Sequence, residues 1–245
     1  MLRKTICITG AAKGIGRAIA KVFGDGSYNL ALNTGSDKEG LQSLVEELSG
    51  SCSGEHILTH VGDVGNSAYV HEFMTAAKEK FGHIDILINN AGIAHIGLLS
   101  DMTDEEWKRL MDTNLNAVFY TCREVIPDMV HTKSGKIINI SSMWGTVGAS
   151  CEVAYSATKG AVNAFTKALA KELAPSNIQV NALSCGVIDT AMNGCFSPEE
   201  KEDLADEIPV GRFGDPMEVG LAVKKMIEMP EYVTGQILTI DGGYI

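Results

Sequence analysis

What most constrains this chain is an alternation: short β-branched runs and longer amphipathic stretches follow one another from end to end. Thr5–Thr9, Leu30–Asn33, His56–Val61, Ile84–Ile88, Lys136–Ile140, Ile178–Leu183 and Gln236–Ile240 read as strands, with helical periods between them. Several are apolar at successive positions, as in Ile86-Leu87-Ile88 and Ile137-Ile138, the pattern of a strand covered on both faces. Units ordered this way predict an α/β fold, a doubly wound, Rossmann-type parallel sheet of about seven strands with helices on both faces and right-handed crossovers. A chain of 245 residues, 45% of them hydrophobic, can bury one large core. No internal repeat, low-complexity tract or Pro/Gly/Ser-rich linker interrupts it, so one domain is expected over residues 1–245.

One stretch breaks the alternation. Residues 190–215 lack strong periodicity and carry Gly194, Pro198, Pro209, Gly211 and Gly214; a loop of that length in a compact domain predicts a lid over a binding site. Within it, Glu199-Glu200-Lys201-Glu202-Asp203 reads as a solvated helix face, not a metal site. The net charge of -11 argues against a general nucleic-acid or anionic-membrane binder, because such a surface is repelled by phosphate. Met1 to Lys4 lead directly into an apolar strand, so neither a signal peptide nor a membrane span is expected and the protein reads as cytoplasmic. Six cysteines without a CxxC pair or a cluster shared with His suggest reduced thiols and no metal.

Two motifs carry chemistry. The first strand runs straight into Gly10-Ala11-Ala12-Lys13-Gly14-Ile15-Gly16, with a helical pattern from Arg17 to Gly24. Glycines let a backbone turn tightly and come close to a pyrophosphate, and the free N–H groups and positive dipole end of the next helix bind the anion. The spacing is GxxxGxG, not the commoner GxGxxG. The second motif is Tyr155 with Lys159, one helical turn apart inside an amphipathic run from Val153 to Ala174. Such a pair alone is compatible with an ordinary solvated face. Ser142, however, lies at the carboxyl end of the Lys136–Ile140 strand, where open α/β sheets place their ligands. A phenol near pKa 10 becomes a useful proton shuttle only when a neighbouring cation stabilises the phenolate, and Lys159 can supply that charge.

Taken together, Thr9 to Gly16, Asp63-Val64, Asn89-Asn90-Ala91-Gly92, Asn114, Ser142, Tyr155-Ser156-Ala157-Thr158-Lys159 and Asp241-Gly242-Gly243 resemble the short-chain dehydrogenase/reductase family over almost the whole chain. The resemblance implies a nicotinamide-dependent oxidoreductase with Asn114, Ser142, Tyr155 and Lys159 as the catalytic set. It implies that Gly10, Lys13, Gly14, Ile15 and Gly16 hold the cofactor's phosphates and that Asp63 and Val64 touch the adenine. Asn90, Ala91 and Gly92 would pack beside the adenosine ribose, Lys159 would bind the nicotinamide ribose beside Tyr155, and Ile188 and Thr190 would contact the carboxamide. Asn114 would anchor a water completing a proton relay from Lys159 to solvent. A homotetramer is implied as well.

The nearest resemblance within the family is to 3-oxoacyl-[acyl-carrier-protein] reductases, through Ile208 to Gly214 and the Gly235-to-Gly243 segment. It implies reduction of 3-oxoacyl thioesters, in fatty acid biosynthesis, with an acyl carrier protein as possible partner. Cys185 stands where that group usually has proline before Gly186, His95 replaces a usual arginine or polar residue, and of two basic positions Lys133 is present while the other is Ser176. A sugar, polyol or hydroxysteroid dehydrogenase on the same fold is the alternative, and a non-catalytic nucleotide sensor or scaffold the alternative of another class. For the cofactor, the second strand ends Leu32-Asn33-Thr34-Gly35-Ser36 with no carboxylate until Asp37, so nothing acidic is placed for a ribose 2′-hydroxyl. Lys13 can pair with a 2′-phosphate while Asn33, Thr34 and Ser36 offer neutral donors; NADP(H) is expected over NAD(H), which stays possible. Met143 and Trp144, next to Ser142, are candidate walls of a substrate pocket.

Overall fold

A computed structural model describes residues 3–194 and 196–245. Seven parallel strands form one sheet in the order β3-β2-β1-β4-β5-β6-β7. They are β1 Lys4–Ile8, β2 Tyr28–Thr34, β3 Ile57–Val61, β4 Ile86–Asn89, β5 Gly135–Ser142, β6 Ile178–Cys185 and β7 Ile237–Ile240. Between them run α1 Gly14–Phe23, α2 Lys38–Leu48, α3 Ser67–Phe81, α4 Asp104–Met111, α5 Ala117–Thr132, α6 Trp144–Val147, α7 Val153–Leu173, α8 Pro198–Glu207 and α9 Pro216–Glu228. The order reverses between β1 and β4, which makes this a Rossmann-type sheet and sets the crevice above that pair as the ligand position.

The successive apolar positions sort by pleat. Ile6 and Ile8, Ile86 and Ile88, Ile138 and Ile140 join one core with α1, α2 and α9. Cys7, Leu87 and Ile137, one residue out of phase, join the other with α3, α5 and α7. Both faces are therefore dry, and truncating a fully buried aromatic such as Phe23 or Phe73 to alanine costs roughly 3–5 kcal/mol.

Strand ends differ from expectation where side chains intervene. Ile84 and Asp85 stand outside β4, although Asp85 N–H still donates to Thr5 O and Asp85 O accepts from Lys136 N–H, each at 3.0 Å; the Asp85 carboxylate in addition accepts from the Thr5 N–H at 2.7 Å. His56 closes a 3₁₀ turn, Gly54–His56, and its ring meets the Asn29 side chain at 3.0 Å. At the other extreme, β5 and β6 run on to pair Ser142 with Cys185, so Ser142 sits on a rigid strand end. The helix expected from Arg17 begins at Gly14. A π turn, Asp112–Asn116, joins α4 to α5, and the sequence periods did not predict it.

The aperiodic segment is not structureless. It holds a 3₁₀ turn, Ala191–Asn193, and α8, whose Ser197 and Glu200 form a reciprocal capping box behind Pro198. Its neck is closed: Ile188 bridges Gly214, with Asp189 N–H donating to Gly214 O and Gly214 N–H to Val187 O, each at 2.9 Å. Cys7, Cys52, Cys122, Cys151 and Cys185 are free thiols; Cys195 lies outside the described residues. No described helix is long and apolar enough to cross a membrane.

Candidate active site

The turn after β1 is shaped by glycine at two positive-φ positions, Gly10 at +67° and Gly14 at +54°. A Cβ on Gly10 would lie 2.9 Å from Ala91 Cα, because the end of β4 packs directly on this turn. Asn90 fixes the packing: its amide donates to the carbonyls of Thr9 (2.9 Å) and Gly10 (3.1 Å), and the N–H groups of Asn90 and Ala91 both donate to Thr9 Oγ1 at 3.0 Å. Gly16 serves the same fit, since a Cβ there would fall 2.1 Å from Gly10 O. Lys13 is the N-cap of α1 but makes no side-chain cap, which leaves the first-turn N–H groups facing a groove lined by Gly10, Gly14, Ile15, Asp63, Asn90 and Gly92. A tight backbone cradle at an uncapped helix N-terminus fits the pyrophosphate of a dinucleotide.

At the far end of the groove the neutral donors expected beside the ribose are partly committed elsewhere. Asn33 lines the groove, but its amide donates to Tyr69 Oη (2.9 Å) and Gly62 O (3.0 Å), and its oxygen accepts from Gly10 N–H at 3.4 Å. Asn33 therefore ties β2 to the turn and to α3 while lining the groove. The Asp37 carboxylate caps α2 by accepting from Gly40 N–H at 2.9 Å. Lys13 is exposed along the same groove.

Tyr155 and Lys159 stand on the first turns of α7, below the end of β5. Lys159 is buried, its Nζ donating to Ile140 O at 2.9 Å, and burial without a carboxylate partner pulls its pKa down to about 8. Tyr155 is hydrogen-bonded to Ser142, which works to lower its pKa, yet burial outweighs that bond and pushes the phenol well above its usual range. The expected lowering by Lys159 is absent from this geometry: the ammonium is 5.7 Å from the centre of the phenol ring and spends its charge on Ile140 O. The Cys185 thiol beside it is buried and pushed up to about 12, an inert group.

Asn114 lies in the π turn, buried, and reaches across the site. Its oxygen accepts from Ile93 N–H at 2.9 Å, while its amide donates to Ile93 O at 2.9 Å and Thr158 Oγ1 at 3.2 Å. Both amide N–H groups are engaged, and the side-chain oxygen keeps one lone pair free. Thr158 and Ile93 are thus partners that the sequence reading passed over, although Thr158 sits inside the Tyr155–Lys159 run. Gly145 was also missed: a Cβ there would be 2.6 Å from the Lys159 carbonyl carbon, so glycine is what lets α6 rest on α7 and bring Trp144 to the site.

A second cavity of about 380 Å³ opens above Ser142 and Tyr155, walled by Met143, Trp144 and the 190–215 segment, and shares Thr190 and Met192 with the nucleotide groove. Ile188 lines this second cavity. A hydroxyl, a phenol and a buried amine at the junction of a nucleotide-sized groove and a separate chamber can protonate, or take a proton from, an oxygen on a carbon held against the groove.

The chain matches the model of a family described as short chain dehydrogenase over residues 4–201. It is 38% identical over 244 residues to the uncharacterized oxidoreductase YmfI of Bacillus subtilis, covering 99% of each chain. It is 36% identical over 243 residues to 3-oxoacyl-[acyl-carrier-protein] reductase FabG of Staphylococcus aureus, covering 99% of this chain and 98% of that one. Among solved structures it resembles a short-chain dehydrogenase/reductase titled glucose/ribitol dehydrogenase from Brucella melitensis, with TM-score 0.90 and 33% identity over 100% of this chain and 98% of that one. The chain thus belongs to the short-chain dehydrogenase family and is an NAD(P)-dependent oxidoreductase acting on CH–OH groups.

Proposed function

We propose that the protein is an NADP(H)-dependent carbonyl reductase, running in reverse as an alcohol dehydrogenase, and that it reduces 3-oxoacyl thioesters to 3-hydroxyacyl thioesters. The observation that carries the reductase reading is the meeting of Ser142, Tyr155 and Lys159 at the junction of groove and chamber. The thioester class is supported by the 36% identity to a 3-oxoacyl-[acyl-carrier-protein] reductase. The preference for NADP(H) is supported by Lys13, exposed along the groove, and by an Asp37 carboxylate occupied as a helix cap.

When bound, the nicotinamide supplies the hydride. The turn from Gly10 to Gly16 and the first turn of α1 hold the phosphates; Asp63 and Val64 flank the adenine, and Lys159 the nicotinamide ribose. Ile188 and Thr190, from the stem of the 190–215 segment, orient the carboxamide. Tyr155, kept protonated by its burial, donates its phenolic proton to the substrate oxygen while the Ser142 hydroxyl donates a hydrogen bond to the same atom, so charge developing there is met on arrival. Lys159 and a water anchored by Asn114 return the proton from solvent. A tetramer is in keeping with Trp107 on α4, Phe119 on α5 and Leu238 on β7, large apolar side chains left exposed.

A second reading, a dehydrogenase of sugars, polyols or hydroxysteroids, is favoured by the carboxylates of Glu152 and α8 around the chamber, since they accept hydrogen bonds from hydroxyls. Steady-state assays of acetoacetyl-CoA, a sugar panel and a hydroxysteroid panel with each cofactor decide between them. The thioester reading expects kcat/KM highest for acetoacetyl-CoA with NADPH; turnover of sugars or steroids alone overturns it, and better use of NADH overturns the cofactor preference.

A further inference from the structure

The helix of the 190–215 segment is weakly anchored by its own sequence. Glu200, Asp203, Leu204 and Glu207 fall at i, i+3, i+4 and i+7 of α8 and line the chamber, so the acidic run expected as a solvated face turns one of its sides inward. Yet no residue of α8 is buried, and a helix without a buried apolar stripe gains little from packing. Among the described residues it makes one hydrogen bond outside its own segment: the carboxylate of Glu207, its last residue, accepts from the Tyr244 hydroxyl at 2.7 Å.

Tyr244 is held where it can make that bond. The Asp241 carboxylate accepts from the N–H groups of Gly243 (2.9 Å) and Ile245 (3.0 Å), which turns the chain after β7 through Gly242 and Gly243, at φ +68° and +87°. Val210 N–H donates to Gly242 O at 3.3 Å, and a Cβ on Gly242 would lie 2.5 Å from Val210 Cγ2, so this turn rests on the returning leg of the 190–215 segment. The Tyr244 ring meets Trp144 edge to face, centroids 5.7 Å apart at 81°. Trp144 belongs to the opposite wall: its backbone N–H donates to Ser142 Oγ at 3.2 Å, and its side chain hydrogen-bonds Glu152, the N-cap residue of α7. One phenol thus joins the helix over the chamber to the wall that carries Ser142, and the carboxylate beside it raises its pKa, keeping it a donor.

We propose that Tyr244 is a positioning residue for the reaction: by tying Glu207 to the Trp144 wall it holds α8 over the bound substrate and sets substrate affinity without touching substrate or cofactor. The inference rests on the reading of the Tyr155 end as the site of carbonyl reduction, and it adds a residue that lines neither the groove nor the chamber.

Tyr244→Phe tests it, since the ring keeps its place against Trp144 and only the bond to Glu207 is lost. With acetoacetyl-CoA and NADPH, KM should rise about three- to tenfold, the scale of one hydrogen bond to a charged group at a half-exposed position, while kcat and the calorimetric affinity for NADPH stay at wild-type values. Amide hydrogen exchange over residues 198–207 should quicken, with β4, β5 and β6 unaltered. In the double variant Tyr244→Phe, Glu207→Ala the tyrosine substitution should add nothing to the effect of Glu207→Ala alone, because both remove the same bond. A wild-type KM or a wild-type exchange rate in Tyr244→Phe, or an effect undiminished when Glu207→Ala is present, overturns the inference. Inertness of the wild-type protein towards acetoacetyl-CoA overturns the thioester reading instead, and the exchange rates of the two single variants and the double variant then decide the inference.

Discussion

The nucleotide groove and the substrate chamber share a border at Thr190 and Met192, yet they are made of different material. The groove is mostly backbone: positive-φ glycines, an uncapped helix start and a strand end that packs on the turn at contact distance. The chamber is mostly side chain, contributed by α8 and by α6 with its neighbours. A backbone cradle fails by steric exclusion, as no residue but glycine fits, whereas a side-chain wall fails by degrees, as charge and shape are exchanged one group at a time.

Perturbations should follow that contrast. The largest effect is expected at the junction itself: Tyr155→Phe should lower kcat by roughly 10²–10⁴-fold, the usual loss for a positioned general acid, while calorimetric cofactor affinity survives. A variant turning over at wild-type rate would remove Tyr155 from the mechanism. In the groove, Gly14→Val places a branched side chain at φ +54° with its Cβ 3.3 Å from Thr190 Cγ2, and cofactor binding should become undetectable by calorimetry. Unaltered affinity would show that the turn does not cradle the phosphates.

Lys159 sharpens the comparison in the other direction, since here function opposes stability. Its ordinary value of 10.5 is pulled down to about 8 in the folded protein, so between those values the unfolded chain binds the extra proton and the folded one does not. Stability should consequently increase as pH rises from about 8 towards 10, and below pH 8 the folded protein carries the full cost of a buried ammonium. Lys159→Met should raise the Tm at pH 7 by about 5 °C, on the usual scale of a few degrees per kcal/mol for a chain of this size, while abolishing most turnover. A lower Tm in this variant would mean that the bond to Ile140 O outweighs the burial. The smallest effect is expected at Lys13: alanine there should reduce the NADPH-over-NADH ratio of kcat/KM by about tenfold, within the range of a hydrogen bond to a charged group. An unchanged ratio would assign the preference to other residues.

The same contrast decides what could be read from the sequence. Strand positions, the double-sided cores and the glycine turn follow from period and from residue types with one conformational use, so Ile6-Cys7-Ile8 and Gly10 to Gly16 speak for themselves. The residues proposed as the catalytic set came from motif spacing and from the family resemblance, and Ser142 among them lies at the carboxyl end of β5. The bond from Asn33 to Tyr69 was not legible, because an amide at a strand end looks the same whether or not a tyrosine one crossover away in the fold accepts from it. The π turn at Asn114 escaped because one extra residue in a helical turn leaves no compositional trace. In α8 the acids at 200, 203 and 207 have the spacing of a single face, a signal present in the sequence but without meaning until one knows which side of the helix meets the cavity.

The bridge between Ile188 and Gly214 has one more implication. Because the excursion leaves and returns at the bridged pair Ile188 and Gly214, residues 191–213 form a cassette whose two ends are already joined, and exchanging it leaves Thr190 and the scaffold that holds Ser142, Tyr155 and Lys159 in place. A family built this way can trade one clientele for another by grafting a short surface segment, leaving the redox centre untouched. Grafts between relatives should then carry their donor's substrate preference with them.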